Sequence, residues 1–200
     1  MSPRNSRAEA ARTRERIVGV AVEEASRIGL EGLTIGALAE RLAMSKAGVV
    51  GPFGSREELQ YAALERAGAI FRTIVIDPLA DTPPGVARLT RLIDRWIDYL
   101  AECPFPGGCF ATAASAELDG RPGPLRDRLR SAVVDWRALL ASEIAAAQAE
   151  TGTAHRPPSE IATVLVGISM AVNQEIQLLD DPSAARRGRA AMRTAAGLPT

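Results

Sequence analysis

The sequence predicts an all-α protein of about nine helices, because of its composition and its periodicity. Alanine is abundant, and aromatic residues make up only 4% of the 200 residues. Apolar residues recur at intervals of three and four positions, which is the helical period. Val, Ile and Thr are scattered and do not alternate with polar residues, which disfavours a sheet. We expect an N-terminal unit of three helices followed by a C-terminal helical bundle.

The first two helices can be placed from their caps. A long helix is expected over residues 8–28, with Gly29 as its C-cap, because glycine adopts the left-handed conformation without strain. Thr34 is a natural N-cap for a short helix over residues 35–42, whose apolar residues share one face.

A second short helix follows a tight turn at Ala43 and Met44. Ser45 can cap this helix, and Gly51 and Pro52 should end it, because proline lacks an amide hydrogen and disfavours helical geometry at the preceding residue. Two short helices joined by a tight turn, with a longer helix before them, form a helix-turn-helix arrangement. The same pattern would also fit an ordinary helical hairpin in a bundle.

The later helices are separated by segments rich in proline and glycine. Ser55 and Glu58 form a capping box, in which the hydroxyl accepts from the Glu58 amide and the carboxylate reaches back. The helix that they open should run to about Ile76 and end before Pro78. Five further helices are expected over residues 83–102, 109–118, 125–150, 158–179 and 181–197.

The two short helices can be assigned faces. In a DNA-binding helix-turn-helix, the first short helix braces the second, which enters the major groove. Val49 and Phe53 would face inward in the second helix. Its outward face would present Lys46, Ala47 and Val50 to base edges.

The first sixteen residues are basic, although the formal net charge of the whole chain is zero. They contain two glutamates and five arginines and so carry a net charge of +3; the arginines are Arg4, Arg7, Arg12, Arg14 and Arg16. Such an arm could follow a phosphate backbone, and it could equally be a solvated tail.

The sequence also bears on the protein's environment. The N-terminus has no apolar signal segment, and the longest uncharged apolar stretch, 14 residues from Ile161 to Gln174, is too short to span a bilayer. We therefore expect a cytoplasmic protein with no membrane partner. Cys103 and Cys109 are either inert small residues or a thiol sensor. His155 is the single histidine, so we expect a surface residue and no metal site.

Four stretches of the chain resemble the TetR family of repressors. Residues 32–48, GLTIGALAERLAMSKAG, resemble the DNA-binding head of that family, and residues 53–59, FGSREEL, resemble the start of its fourth helix. Residues 103–110, CPFPGGCF, and 117–124, ELDGRPGP, resemble a pattern found in one subgroup. The resemblance therefore extends over most of the chain.

This resemblance implies a ligand-responsive transcriptional regulator, expected to be a repressor that binds palindromic operator DNA as a homodimer. It implies a DNA-binding domain over residues 1–54 and a ligand-binding and dimerisation domain over residues 55–200. The effector is an unknown small molecule, and no cofactor is implied. The sequence has no catalytic set of side chains, so an enzyme is not expected.

Position by position, the resemblance also implies contacts with DNA. Thr34 corresponds to a residue whose hydroxyl meets a phosphate, and Ser45 and Lys46 correspond to residues at the start of the recognition helix. Ala47 and Val50 follow on the same helix and would lie near base edges.

Arg56 corresponds to a basic residue at the start of the fourth helix that contacts the DNA backbone. A helix N-terminus there also favours an anion.

The recognition helix departs from the family pattern at three positions. Val50 stands where an aromatic residue is usual, Pro52 where His or another polar residue is common, and Gly51 where a better helix former is found. These changes remove two phosphate-binding or packing groups and shorten the helix. They leave open an alternative function: a helical small-molecule-binding or protein-interaction module with weakened or lost DNA binding.

Five aromatic residues lie on helices that would line a ligand cavity in this family. They are Phe71, Trp96, Tyr99, Phe110 and Trp136. The alternative for each is ordinary core packing. Asn173, Gln174 and Glu175 interrupt an apolar helix, where they could orient a ligand, join a dimer interface or face solvent.

A dimer interface is expected on the helices over residues 125–150 and 158–179. The second of these carries a wide apolar face, formed by Ile161, Val164, Leu165, Ile168, Val172, Ile176 and Leu179. Two such helices from each chain would form a four-helix interface.

Overall fold

The computed structural model describes residues 3–152 and 156–198, and it describes side chains from residue 7 onward. Within these residues the chain forms nine α-helices and no strand, which confirms the predicted fold class. The helices are α1 Pro3–Ile28, α2 Ile35–Leu42, α3 Lys46–Val50, α4 Arg56–Phe71, α5 Val86–Glu102, α6 Phe110–Leu118, α7 Pro124–Thr151, α8 Pro158–Gln177 and α9 Ala184–Ala195. His155 lies outside the described residues.

The helix α4 continues past Phe71 as a π-helical turn, Arg72–Ile76, and a 3₁₀ turn, Asp77–Leu79. Pro78 has no amide hydrogen to donate to the carbonyl of Ile74. That carbonyl instead accepts a hydrogen bond from Nε of Arg95 at 3.1 Å. The α-helical geometry therefore changes before the proline.

The helix α5 begins at Val86, later than the Pro83 and Pro84 start that the sequence suggested. Gly85 has a φ of 144°, which excludes it from the helix. The amide of Val86 donates to Oε2 of Glu150, at 2.8 Å. The acidic end of α7 therefore satisfies one of the free amides at the positive end of α5.

The chain divides into two compact units. Unit 1 comprises Met1–Ala69 and Phe105–Leu129, and unit 2 comprises Ile70–Pro104 and Arg130–Thr200. Unit 1 thus holds the helix-turn-helix together with α6. The functional division after residue 54 remains a prediction, since contacts within one chain do not test it.

Each unit has its own apolar core. In unit 1 the fully buried residues come from the first four helices, from the loop between α1 and α2 and from the segment before α6; they include Ile17, Leu30, Leu33, Leu38, Val49, Leu59 and Phe105. In unit 2 they come from α5, α7, α8 and α9 and include Leu89, Leu92, Ile97, Leu140, Leu165 and Met192. α9 packs on both α5 and α8. The buried Gly188 permits this packing, because a Cβ there would lie 2.2 Å from Cγ2 of Val172.

Candidate functional site

The first short helix, α2, is capped and turned as the sequence predicted. The Thr34 hydroxyl accepts a hydrogen bond from the Ala37 amide at 3.2 Å. Ala43 ends the helix with a φ of 52°, in the left-handed region. Arg41 braces α2 against α1 through ion pairs to Glu23 at 2.7 Å and Glu24 at 2.5 Å.

The second short helix, α3, spans only five residues and ends before Gly51 and Pro52, as expected. The Ser45 hydroxyl accepts from the Gly48 amide at 3.0 Å. Val49 is fully buried, as predicted for the inward face.

The outward face of α3 is only partly as predicted. Lys46 and Ala47 are exposed, whereas Val50 is half-buried. Phe53, just beyond the helix, is also half-buried, and the Arg14 guanidinium lies 4.9 Å from its ring centroid. Exposed polar and small side chains are therefore confined to the first turn of α3.

Arg56 is held within its own chain. Its Nε donates to the Leu33 carbonyl at 2.8 Å, and its Nη2 donates to the Glu31 carbonyl. The same guanidinium lies 3.8 Å from the Glu31 carboxylate. Its part in binding DNA remains a prediction, and the described contacts give it another task, which is to hold the loop between α1 and α2.

The same loop is held by two side chains that sequence reasoning missed. Nε2 of Gln60, a buried residue of α4, donates to the Leu30 carbonyl at 2.7 Å. Glu117 of α6 accepts from the Leu30 amide at 2.8 Å and from the Glu31 amide at 2.7 Å. A polar residue on the apolar face of α4 was the available signal for Gln60, and Glu117 stands in the 117–124 motif.

The N-terminal arm has a mixed environment. Arg16 donates to Sδ of Met44 at 3.2 Å, and Arg14 covers Phe53. Arg7 and Arg12 are exposed on α1. The Arg4 side chain lies outside the described part of the chain.

Four of the five predicted pocket residues come together in unit 2. Phe71 contacts Tyr99 and Trp136 edge to face, with ring centroids 5.1 and 4.9 Å apart. Trp96 and Trp136 are 4.9 Å apart in the same geometry. Such edge-to-face contacts fill space as a core does. Phe110 belongs to unit 1, where its ring centroid lies 5.7 Å from that of Phe105.

A buried ion pair joins α5 and α7, the helices that carry Trp96 and Trp136. Nε of Arg88 on α5 is 3.0 Å from Oε1 of Glu143 on α7. Glu143 is 5% exposed, and its Oε2 has no hydrogen-bond partner among the described residues. The fully buried Leu92 and Leu140 separate this pair from the tryptophan contact along α5 and α7.

Two open clefts lie on unit 1. One, of about 580 Å³, is lined by the end of α1, the loop after it and α6, including Phe110 and Glu117. The other, of about 480 Å³, is lined by the start of α4 and residues 121–126. Neither is lined by the four-ring cluster of unit 2.

Cys103 and two polar residues of α8, Gln177 and Glu175, have partners within unit 2. Cys103 donates to the Leu100 carbonyl at 3.0 Å and accepts from Nε2 of Gln177 at 2.8 Å. Cys103 and Cys109 are both half-buried, and neither is in a disulfide. Glu175 pairs with Arg187 at 2.8 Å, which favours a structural role for this glutamate.

The apolar face assigned to a dimer interface is partly used within the chain. Ile161, Leu165 and Val172 are buried in unit 2, where α9 and α5 pack on α8, so these three side chains do not reach a second chain. The other four residues of that face are less covered: Val164, Ile168 and Ile176 are half-buried, and Leu179 is 63% exposed. The dimer interface therefore stays a prediction, and the exposed large apolar residues within α7 and α8 are Val134 and Met170.

No helix in the described ranges is long and apolar enough to cross a membrane.

Known proteins provide an independent comparison. Residues 85–192, more than half of the chain, match the family described as tetracycline repressor-like, C-terminal domain. No curated protein matches the sequence.

Solved structures share the fold over nearly the whole chain. A TetR transcriptional regulator from Chloroflexus aurantiacus is 21% identical with a TM-score of 0.84, covering 94% of this chain and 95% of that one. A TetR-family regulator from Cytophaga hutchinsonii is 15% identical, with a TM-score of 0.80 and coverage of 94% and 95%. AibR, solved with isovaleryl coenzyme A and operator DNA, is 16% identical, with a TM-score of 0.74 and coverage of 93% and 97%.

Proposed function

Because this chain belongs to the tetracycline repressor-like (TetR) family, we propose that it is a ligand-responsive repressor that binds palindromic operator DNA as a homodimer. The proposal rests on one observation: the first turn of α3 is exposed, while the inward face of the same helix is buried. Val49 anchors the helix, while Ser45, Lys46 and Ala47 remain exposed. A helix presented in this way can enter the major groove with its N-terminal residues at base edges. DNA as the partner places the protein in the cytoplasm.

The roles of individual side chains follow from their exposure. Lys46 would contact a phosphate or a guanine, and Ala47 would touch a thymine methyl group. Thr34 and Ser45 are exposed, and their hydroxyls retain capacity for a phosphate besides their caps. Val50, being half-buried, would contribute a smaller apolar contact.

The dimer is proposed on the outward faces of α7 and α8. Val134 is 53% exposed and Met170 is 48% exposed, so both large apolar side chains are accessible to a second chain. Small exposed residues, Ala138, Gly167 and Ala171, would let two helices approach closely. A two-fold arrangement would place two recognition helices on one operator.

The effector site is proposed in unit 2, beside the cluster of Phe71, Trp96, Tyr99 and Trp136. AibR, with its bound isovaleryl coenzyme A, supports a small-molecule effector for this fold. Both tryptophans of the chain lie in this cluster, so their fluorescence reports on it alone. Titration with apolar small molecules should shift or quench the emission, and a panel that leaves it unchanged would count against this site.

A second candidate function is a ligand-binding or interaction module with weakened DNA binding. The engagement of Arg56 with two carbonyls favours it, because that guanidinium has fewer donors left for a phosphate. Gly51 and Pro52 add to this by ending α3 early. Under this alternative, small molecules would bind to unit 2 while no DNA sequence is selected.

The decisive experiment is selection from a random double-stranded DNA library, followed by affinity measurement on the enriched duplex. Lys46→Ala should weaken binding roughly tenfold, because one base or phosphate contact is lost. Arg66→Ala is the matched control, since Arg66 is an exposed cation of α4 whose loss changes the net charge equally. Equal losses in the two variants would contradict a specific role for α3.

A further inference from the structure

Glu117 contacts the proposed DNA-binding head across 87 positions of the sequence. It lies in the last turn of α6, and its two carboxylate oxygens accept from consecutive backbone amides, Leu30 at 2.8 Å and Glu31 at 2.7 Å. Charge-assisted bonds of this kind are about twice as strong as neutral ones. One side chain thus fixes two adjacent peptide units of the loop that joins α1 to α2.

The loop is shaped to receive this carboxylate. Gly29 has a φ of 82°, in the region that favours glycine. A Cβ at Gly29 would lie only 2.6 Å from Oε1 of Glu117. The close approach of the carboxylate therefore depends on a residue without a side chain.

The opposite side of the loop is held by α4. Gln60 donates to the Leu30 carbonyl, and Arg56 donates to the Leu33 carbonyl. Leu30 is therefore bound at its amide by α6 and at its carbonyl by α4. Because Thr34 and α2 begin four residues later, this double attachment sets where the helix-turn-helix starts.

The segment before α6 also docks on α1. The Gly107 amide donates to Oγ of Ser26 at 3.3 Å, and a Cβ at Gly107 would lie 1.7 Å from the Ser26 carbonyl oxygen. The segment before α6 is thus attached to α1, and the last turn of α6 is attached to the loop after α1.

We propose that Glu117 is a positioning residue for DNA binding, which it supports by holding the loop between α1 and α2 against α6. This inference rests on the proposed DNA-binding function. When the carboxylate is removed, the amides of Leu30 and Glu31 lose their acceptors, and the loop is held on one side only. α2 and α3 then sample positions in which the first turn of α3 no longer fits the groove.

The direction of the change in DNA affinity distinguishes a positioning role of Glu117 from a simple effect of its negative charge. DNA is a polyanion, so removal of a negative charge from the protein strengthens binding unless something else is lost. Asp119→Asn removes the same charge from an exposed side chain two residues away and supplies the control. Glu117→Gln keeps one acceptor oxygen and nearly the same shape, and Glu117→Ala removes both oxygens.

The test combines affinity for an enriched duplex with hydrogen exchange at the Leu30 and Glu31 amides, at a temperature where circular dichroism shows every variant folded. We expect about a tenfold loss of affinity in Glu117→Gln, because a bond to a charged group is lost. We expect a larger loss in Glu117→Ala, and no loss in Asp119→Asn. The two amides should exchange faster in both Glu117 variants only.

Three outcomes overturn the proposal. Affinity in Glu117→Gln equal to that in Asp119→Asn, despite faster exchange, shows a role in stability alone. Unchanged exchange at the two amides shows that the carboxylate does not hold the loop. A wild-type protein that enriches no duplex refutes the proposed function and the positioning role together, while the exchange data still report whether the attachment to α6 exists.

Discussion

The loop between α1 and α2 in unit 1 and the packing of α5 on α9 in unit 2 depend on different kinds of polar contact. The contacts that fix the loop between α1 and α2 end on backbone atoms, as in the bonds from Gln60 and to Glu117. The contacts that join α5 to α9 end on side chains, as in the pairs of Arg189 with Asp98 at 2.5 Å and of Arg193 with Asp94 at 2.8 Å. The contacts between α5 and α7 also join side chains to side chains: the Trp96 and Trp136 rings meet, and Arg88 pairs with Glu143.

This difference matches the tasks proposed for the two units. A contact to the backbone fixes the path of the chain whatever side chain the loop carries, which suits a head that must meet DNA in one geometry. A contact between two side chains can be replaced by another matched pair, which suits a bundle whose effector differs from one family member to the next. Unit 1 therefore should tolerate changes at its contacts less well than unit 2.

The largest expected effect comes from two glycines. In Gly107→Ala the new Cβ meets a backbone oxygen at 1.7 Å, so the chain itself must move, and the loss in the free energy of unfolding should exceed about 4 kcal/mol. In Gly188→Ala the Cβ meets a Val172 methyl group at 2.2 Å, which can rotate away, and the loss should be about 1–3 kcal/mol. Urea unfolding measures both, and equal losses would remove the contrast between the units.

The buried ion pair of unit 2 gives the next largest effect. Arg88→Ala leaves the Glu143 carboxylate buried without its partner and should lower the free energy of unfolding by about 3 kcal/mol. Because the contact is between side chains, the double variant Arg88→Met/Glu143→Leu should recover most of that loss. Denaturant titration of the single and double variants checks this, and a double variant no better than Arg88→Ala would refute replaceability.

The smallest effects are two pH dependences of opposite sign. Tyr61 in unit 1 donates to Glu57 at 2.7 Å, and this bond raises the pKa of Tyr61 to about 12. Because the pKa is higher in the folded state, the protonated Tyr61 stabilises the fold at neutral pH. This contribution is lost as the pH rises from about 10 to about 12. Tyr61→Phe should remove that alkaline slope from the thermal melting profile.

In unit 2 the bond from Arg187, followed by those from Ser183, lowers the pKa of Asp181 below its usual range. Because the pKa is lower in the folded state, the ionised Asp181 stabilises the fold at pH values above its unfolded pKa of about 3.9. This stabilisation is lost as the pH falls below that value. Asp181→Asn should therefore flatten the acid limb of the melting profile and leave the alkaline limb alone. An unchanged acid limb would contradict this assignment.

The sequence predicts local structure in this chain far better than it predicts long-range contacts. Thr34 and Ser45 cap α2 and α3 as expected, because a cap depends on residues three positions apart. Gly51 and Pro52 end α3 for equally local reasons. The contact of Glu117 with Leu30 spans 87 positions, and no periodicity or cap encodes it.

The candidate sites show the same limit. The exposure of Lys46 and the burial of Val49 follow from the helical period, and both were predicted. The contact of Phe110 with Phe105 was not predicted, because all five predicted aromatic residues lie on apolar helix faces and only tertiary packing decides which ring each one meets. Arg56 was assigned to DNA from its place in the family pattern, and its bond to the Leu33 carbonyl, 23 positions away, was not predicted.

Operator recognition is tested most directly by the affinity for the enriched duplex at two salt concentrations. We expect two chains per duplex and an affinity that falls steeply with salt, because arginines of the arm and Lys46 release counterions from the phosphates. Deletion of residues 1–10 should weaken DNA binding and flatten its dependence on salt. The double substitution Val50→Tyr/Pro52→His should tighten DNA binding. Equal affinity for the enriched and a scrambled duplex, or binding that does not respond to salt, would contradict the claim that α3 and the basic arm recognise an operator.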